Sequence, residues 1–141
     1  MPFFGQEVFL QSQAVDLNDP ATIAAYQAAV ANDKRLGGRD GIDAALSTFG
    51  LDALVAPTNG LAWKIDLLDG DRFLGGSSTS TSLAGYPAIH VPAAFSFGLP
   101  VGITFMGPAF SEPALIKLAS GFEAVTKARR PPKFLSPSLV I

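Results

Sequence analysis

Polar residues, glycines and prolines interrupt the apolar positions in the first third of the chain and mark where two helices are expected to begin and end. The first ordered element is expected to be a helix entered through Asn18-Asp19-Pro20, because Asp can cap a helix and Pro suits its first position. It should end at Leu36, since Gly37-Gly38 follow. A second helix is predicted from Gly41 to Thr48, ended by Phe49-Gly50. The two helices are expected to form a helical pair.

Three apolar runs in the middle of the chain are short enough for strands. Leu51 to Pro57 is almost wholly apolar between turn signals, which predicts a strand buried on both faces that Pro57 ends. Ala88–Pro92 and Val101–Met106, joined through Phe97–Pro100, predict an antiparallel hairpin with a long tip. Between them, Thr58 to Leu74 contains Asn-Gly and Asp-Gly steps and predicts a long loop.

The last helix carries the clearest periodicity. Ser111 is expected to cap it, and Arg129-Arg130-Pro131-Pro132 to end it. Its apolar face is expected to comprise Leu115, Leu118, Ala119, Phe122 and Val125. Together the elements predict an α/β fold in a single domain over residues 1–141, with a small mixed β-sheet flanked by helices.

Composition adds that the chain is unusually apolar. Hydrophobic residues make up 48% and charged residues only 16%, against about 25% charged in an average domain, and the mean hydropathy is +0.33. Either some apolar surface meets another protein surface or part of the fold is missing, so a homo-oligomer or a complementing chain is expected. No apolar run reaches about 18 residues, which predicts no membrane span.

Charge and cysteine content narrow the functional classes further. A net charge of −2 with scattered Lys and Arg predicts no nucleic-acid partner. The absence of cysteine and of a visible signal sequence favours the cytoplasm. One histidine and the isolated acidic pair Asp69-Gly70-Asp71 predict no metal site, and no phosphate-binding loop is present, so no cofactor is expected.

The hydroxyl-rich stretch GGSSTSTS, from Gly75 to Ser82, is the candidate for a nucleophile loop. Ser77 or Ser78 would need a base within about 2.6–3.2 Å, and His90 and Lys64 are the available ones. No G-x-S-x-G elbow is present. The simpler interpretation is that Ser77 to Ser82 cap and form a short helix, that His90 is structural and that Lys64 is a surface lysine.

Three separated blocks carry a resemblance to a known family: LDALVAPT, SLAGYPAIHVPAAF and GLPVGITFMGPAFSEPALIKLASGFEAVTKARRPP. In this order they resemble the C-terminal part of the amidase signature family, over about Ile42 to Phe134. The resemblance implies amide hydrolysis by a serine nucleophile, a second serine in a cis peptide and a lysine base, all carried N-terminal to this region. It therefore supplies no catalytic residue here, and it implies Asn59 and Trp63 as substrate contacts.

Three functional hypotheses follow. The first is a C-terminal fragment or truncated relative of an amidase, inactive alone, which acts on a small amide only when an N-terminal portion completes it. The second is a non-catalytic module that uses the amidase scaffold for oligomerisation or partner binding. The third is a small self-sufficient hydrolase that uses Ser77 or Ser78 with Lys64 or His90.

Overall fold

A computed structural model describes residues 5–63 and 66–134, which form six helical segments and three strands. The helical segments are α1 (Glu7–Gln13), α2 (Pro20–Lys34), a π-helical segment (Arg35–Asp43), α3 (Ala44–Phe49), α4 (Ser78–Ala84) and α5 (Glu112–Thr126). The strands are β1 (Leu54–Pro57), β2 (Ala88–Ser96) and β3 (Leu99–Met106). The predicted α/β class, a small sheet with helices around it, is confirmed.

Helix α2 begins where its capping residue predicts. The Asp19 carboxylate accepts hydrogen bonds from the backbone N–H and the hydroxyl of Thr22, each at 2.8 Å. Both bonds favour the ionised carboxylate and lower the pKa of Asp19. The expectation that this is the first ordered element is wrong, because α1 precedes it. Helix α1 has no side-chain cap and buries none of its residues, so neither a capping residue nor an apolar face marks it in the sequence.

The chain does not stop at Gly37-Gly38 as predicted; it continues through the π-helical segment into α3. Both glycines are buried because they let the helix approach α4 closely. A Cβ atom on Gly37 would lie 2.8 Å from the carbonyl oxygen of Ser80, and one on Gly38 would lie 3.1 Å from the Tyr86 hydroxyl. The glycine pair is thus explained by packing and not by chain termination.

A hydrogen bond between side chains ties this helical unit to the segment that enters the sheet. The Tyr86 hydroxyl donates to the Asp43 carboxylate at 2.6 Å. This bond, together with partial burial, raises the pKa of Tyr86. The contact fixes the end of the π-helical segment beside the start of β2.

The sheet has the order β1-β3-β2 and is antiparallel throughout, where a mixed sheet was predicted. Leu54 pairs with Met106 at one end of β1, and Pro57 pairs with Ile103 at the other. The prediction that β1 is buried on both faces is wrong, since Val55 is 53% exposed and the strand lies at the sheet edge. Pro57 ends the strand as predicted.

The hairpin of β2 and β3 is confirmed, but its tip is tight and not long. The strands pair out to Ser96 and Leu99, so only Phe97 and Gly98 form the turn, with φ angles of 50° and 80°. Positive φ at both central residues is the geometry that matches strand twist in two-residue hairpins. The register shifts between Pro92 and Ala94, which marks a bulge.

Helix α5 packs on one face of the sheet. The core there consists of Leu115 and Ala119 of the helix with Val91 of β2 and Phe105 of β3. Phe122 is half-buried and contacts Phe105 edge to face at 5.9 Å. The other two residues of the predicted face are more exposed, Leu118 at 38% and Val125 at 85%.

The ends of α5 differ from the prediction. Ser111 stands at the cap position, but its hydroxyl donates to the carbonyl oxygen of Pro108 at 2.7 Å and makes no capping bond. The helix ends at Thr126, followed by Lys127 with a φ of 46°, before the predicted Arg-Arg-Pro-Pro stop. Across residues 5–63 and 66–134 no helix has the length and hydropathy needed to cross a bilayer.

Candidate substrate groove

The face of the sheet opposite α5 carries a row of side chains that includes the chain's one histidine. His90 on β2 and Ala56 on β1 both pair with Thr104 on β3, so these three residues share one face. Thr104 is fully buried, whereas His90 is exposed. The sheet therefore has an apolar face toward α5 and a hydrogen-bonded face on the other side.

The hydroxyl of Thr104 is the centre of a hydrogen-bond network on this face. Its oxygen lies 2.9 Å from the Ser77 hydroxyl, 2.9 Å from the Thr58 hydroxyl and 2.7 Å from Nδ1 of His90. Ser77 Oγ also lies 3.3 Å from the carbonyl oxygen of Thr58. Three segments far apart in sequence thus meet at one buried hydroxyl.

The three partners of Thr104 match the capacity of a hydroxyl group, which donates one hydrogen bond and accepts two. In one arrangement Thr104 donates to Thr58 and accepts from Ser77 and from the protonated Nδ1 of His90. In the other, Thr104 donates to an unprotonated Nδ1 and accepts from both Ser77 and Thr58. The network is complete with either tautomer of His90.

Backbone hydrogen bonds hold the neck of the long loop against this network. The N–H of Thr58 donates to the carbonyl oxygen of Gly102 at 2.9 Å. The N–H of Ser77 donates to the carbonyl oxygen of Thr58 at 3.0 Å. Asn59 forms an isolated antiparallel bridge with Gly76, and the N–H of Gly60 donates to the carbonyl oxygen of Gly75 at 3.2 Å. The chain therefore leaves β1 for the loop and returns from it at adjacent points, before it enters α4.

Gly102 makes this close approach possible. A Cβ atom at Gly102 would lie 2.7 Å from the hydroxyl oxygen of Thr58 and 3.1 Å from its Cβ. Any larger residue would push Thr58 away from Thr104. Glycine in β3 thus serves the network and not the sheet, where it contributes no packing.

A groove of about 460 Å³ opens beside the network. Its lining is apolar except at Thr58, Asn59 and His90, and it comprises Thr58, Asn59, Gly60, Ala62, Trp63, His90, Val91, Pro92, Pro100, Val101 and Gly102. Both predicted contact residues, Asn59 and Trp63, line it. Trp63 is fixed by an edge-to-face contact with Phe73 at 6.3 Å and by donation from Nε1 to Asp71 at 3.2 Å.

The candidate nucleophiles occupy different positions. Ser77 precedes α4 at the cap position, yet its hydroxyl makes no capping bond because it is turned toward Thr104. The predicted short helix is thus confirmed and the predicted cap is wrong. Ser78 is exposed. Within the described residues Ser77 reaches His90 only through Thr104; Lys64 lies outside the described residues.

In the part of the chain that the structure describes, no group of three His, Cys, Asp or Glu side chains lies close enough together to hold a metal ion.

The sequence-based predictions missed Thr58 and Thr104. A signal was present: Thr104 lies between Ile103 and Phe105, as His90 lies between Ile89 and Val91. A polar residue between two apolar neighbours in each of two pairing strands predicts that both point away from the core face.

With the groove described, the comparisons with known proteins give the family. The amidase family profile matches residues 2–116. A solved peptide amidase from Stenotrophomonas maltophilia superimposes with a TM-score of 0.80 at 46% identity, covering 96% of this chain and 26% of its own. A second structure, of the peptide amidase PAM with the competitive inhibitor chymostatin, gives a TM-score of 0.84 at 49% identity over 95% of this chain and 27% of its own.

Sequence relatives agree. An Arabidopsis thaliana protein described as a probable amidase is 37% identical over 134 residues, which are 94% of this chain and 22% of that protein. A glutamyl-tRNA(Gln) amidotransferase subunit from Streptococcus equi subsp. zooepidemicus is 40% identical over 53% of this chain and 16% of its own length. The chain belongs to the amidase family, and it spans about a quarter or less of the length of these relatives.

Proposed function

We propose that this chain forms the C-terminal part of an amide hydrolase, carries one wall of its substrate site and has no complete catalytic site of its own. The observation that carries the proposal is the coverage, which is 95–96% of this chain but only 26–27% of the peptide amidases it resembles. The catalytic serines and lysine implied by the family resemblance belong to the remaining length.

The chemistry of the described residues supports the absence of a complete site. An activated serine needs a base in direct hydrogen-bond contact and donors for the developing oxyanion. Ser77 instead bonds to Thr104 and to the carbonyl oxygen of Thr58. Both partners are better suited to holding the serine in place than to removing its proton.

The groove supports a role in holding substrate. Its size falls in the range of about 300–1,000 Å³ typical of small-molecule sites, and it combines an apolar wall with a few polar groups. Asn59 would bond polar atoms of the substrate and Trp63 would pack on its apolar part. The proposed substrate is a small amide, in keeping with the relatives' description as amidases.

The exposed apolar surface favours a partner. Large apolar side chains lie open on α1, α2, β1 and the long loop, among them Phe9 (72%), Tyr26 (68%), Val55 (53%) and Leu68 (97%). Such surface, together with the free edge of β1, favours association. We propose that the N-terminal portion of the amidase covers this surface. Where that portion is missing, a second copy of this chain takes its place.

The decisive experiment replaces the C-terminal quarter of the Stenotrophomonas maltophilia peptide amidase by this chain and assays peptide-amide hydrolysis. We expect turnover by the chimera and none by the chain alone. A chimera that folds, as judged by thermal unfolding, but is inactive would contradict the proposal. A defined oligomer of the chain, with no turnover in either form, would favour the non-catalytic assembly module.

A matched pair of chimera variants tests the groove itself. Trp63→Ala should raise KM for amides with a large apolar group, because it removes packing against the substrate. Phe110→Ala, at a residue 90% exposed and outside the groove, is the control and should leave KM unchanged. Equal KM values for the two variants would remove Trp63 from the substrate site.

A further inference from the structure

His90 is the residue of the groove that the proposed function leaves without a role. It lies in the middle of β2, where both sequence neighbours, Ile89 and Val91, face the α5 core. Its imidazole is exposed and lines the groove. Among the described residues its Nδ1 bonds to Thr104, and no hydrogen bond involves Nε2.

The bond to Thr104 fixes the ring without fixing its tautomer. Thr104 accepts from Nδ1–H when it donates to Thr58, and it donates to Nδ1 when Thr58 and Ser77 both donate to it. The other ring nitrogen, Nε2, is accordingly an acceptor in the first arrangement and a donor in the second. A small rotation of buried hydroxyls therefore changes what His90 offers in the groove.

We propose that His90 is a specificity residue that binds the amide group of the substrate through Nε2, with Thr104 as its positioning residue. A primary amide presents both a carbonyl acceptor and N–H donors, so either tautomer of His90 finds a partner on it. An ester lacks the N–H donors and can use only one of the two arrangements. This inference rests on the proposed function, because it takes the groove as an amide-binding surface.

The surroundings of His90 define the rest of the ligand. The groove side chains around it are apolar or uncharged, and Trp63, Pro92 and Val101 offer packing surface. An uncharged amide with an aromatic or large aliphatic group fits this lining. Among the lining residues that the structure describes, no arginine or lysine is present to pair with a carboxylate that would have to be desolvated there.

The test uses the fact that this chain contains a single histidine, so its imidazole ¹⁵N signals need no assignment. 3-Phenylpropanamide is titrated into the tag-free ¹⁵N-labelled chain at neutral pH, with propanamide and methyl 3-phenylpropanoate as matched probes. We expect the amide with the ring to shift Nε2 and to bind tighter than either probe. The ester should bind at least about 2-fold more weakly, because only the arrangement in which Nε2 donates can bind its carbonyl oxygen.

Two variants separate contact from positioning. His90→Phe keeps an aromatic ring in the groove but has no Nε2, and it should bind the amide and the ester equally. Thr104→Val keeps the imidazole but removes its anchor, so the ratio of the two tautomers should change in the ¹⁵N spectrum of the free chain. Thr104→Ser should restore the original ratio.

The proposal is overturned if the folded chain binds the ring-bearing amide without a change at Nε2, or does not bind it at all. It is also overturned if His90→Phe retains the preference for amide over ester. Because His90 is exposed, this variant should fold, and its result does not depend on whether the Thr104 variants fold. Turnover by the chimera with no imidazole shift would leave the proposed function standing and remove this inference alone.

Discussion

The two faces of the three-stranded sheet are held by different interactions, although they share the same strands. Toward α5, Val91, Phe105, Leu115 and Ala119 exclude water and touch one another. Toward the groove, Thr104 is equally buried, but its contacts are hydrogen bonds to three polar side chains. The apolar face tolerates changes of shape poorly, whereas the polar face requires that every partner be present.

The difference also separates stability from function. The α5 face is filled by packed apolar side chains. The opposite face leaves His90 and the neck of the long loop at a groove. Residues there are ordered by one buried hydroxyl and not by a large packed core, so substitutions should affect the two faces by different amounts.

The largest expected effect is on the apolar face. Leu115→Ala should lower the free energy of unfolding by about 3 kcal/mol, because Leu115 is 1% exposed and its removal leaves a cavity. Val125→Ala in the same helix is the control, and at 85% exposure it should change stability by less than about 0.5 kcal/mol. Urea unfolding measures both. Similar losses in the two variants would mean that α5 does not pack as described.

The next effect breaks the polar face at its centre. Thr104→Val preserves shape but leaves Ser77, Thr58 and His90 without their shared partner, which should cost about 2 kcal/mol. Thr104→Ser keeps the hydroxyl and loses only a methyl group, at about 0.8 kcal/mol. If valine proves no worse than serine in urea unfolding, the network contributes nothing to the sheet.

A smaller effect distinguishes the two neighbouring serines. Ser77→Ala removes a hydroxyl that bonds to Thr104, and it should cost about 1 kcal/mol. Ser78→Ala, at an exposed position, should stay within about 0.5 kcal/mol of the wild type. Thermal unfolding compares the pair under the same conditions. The opposite order would place the polar network on the wrong serine.

The smallest effect lies outside both faces and appears only in acid. The pKa of Asp19 is lowered in the folded chain, so its cap stabilises α2 fully above the unfolded pKa of about 4 and is lost as the pH falls through the folded value. Asp19→Ser retains a neutral cap, and its stability should depend less on pH over this range. Parallel urea curves at several acidic pH values test this; identical pH dependence in both chains would argue against the cap.

Local signals predicted the elements that depend on neighbouring residues. The cap at Asp19, the short helix α4, the hairpin and the core positions Leu115, Ala119 and Phe122 of α5 follow from spacing and turn chemistry. The π-helical segment did not, because Gly37 and Gly38 indicate a stop unless their contact with α4 is known. The exposure of β1 was missed for the same reason, since burial depends on what covers the strand.

The groove was half predictable. The resemblance pointed to Asn59 and Trp63, and both line it. The network behind them joins Thr58, Ser77, His90 and Thr104, which are separated by up to 46 residues, so only the strand register brings them together. A serine at a cap position can direct its hydroxyl to a distant partner, as Ser77 does, and no local pattern predicts that contact.

The central claim is that this chain contributes a substrate wall and not a catalytic centre. The most direct test is hydrolysis of a panel of aliphatic and aromatic amides and p-nitrophenyl esters by the purified chain, beside its Ser77→Ala/Ser78→Ala double variant. We predict no turnover by either, in samples that circular dichroism shows to be folded. Turnover by the chain that disappears in the double variant would contradict the claim and make the GGSS stretch a nucleophile loop.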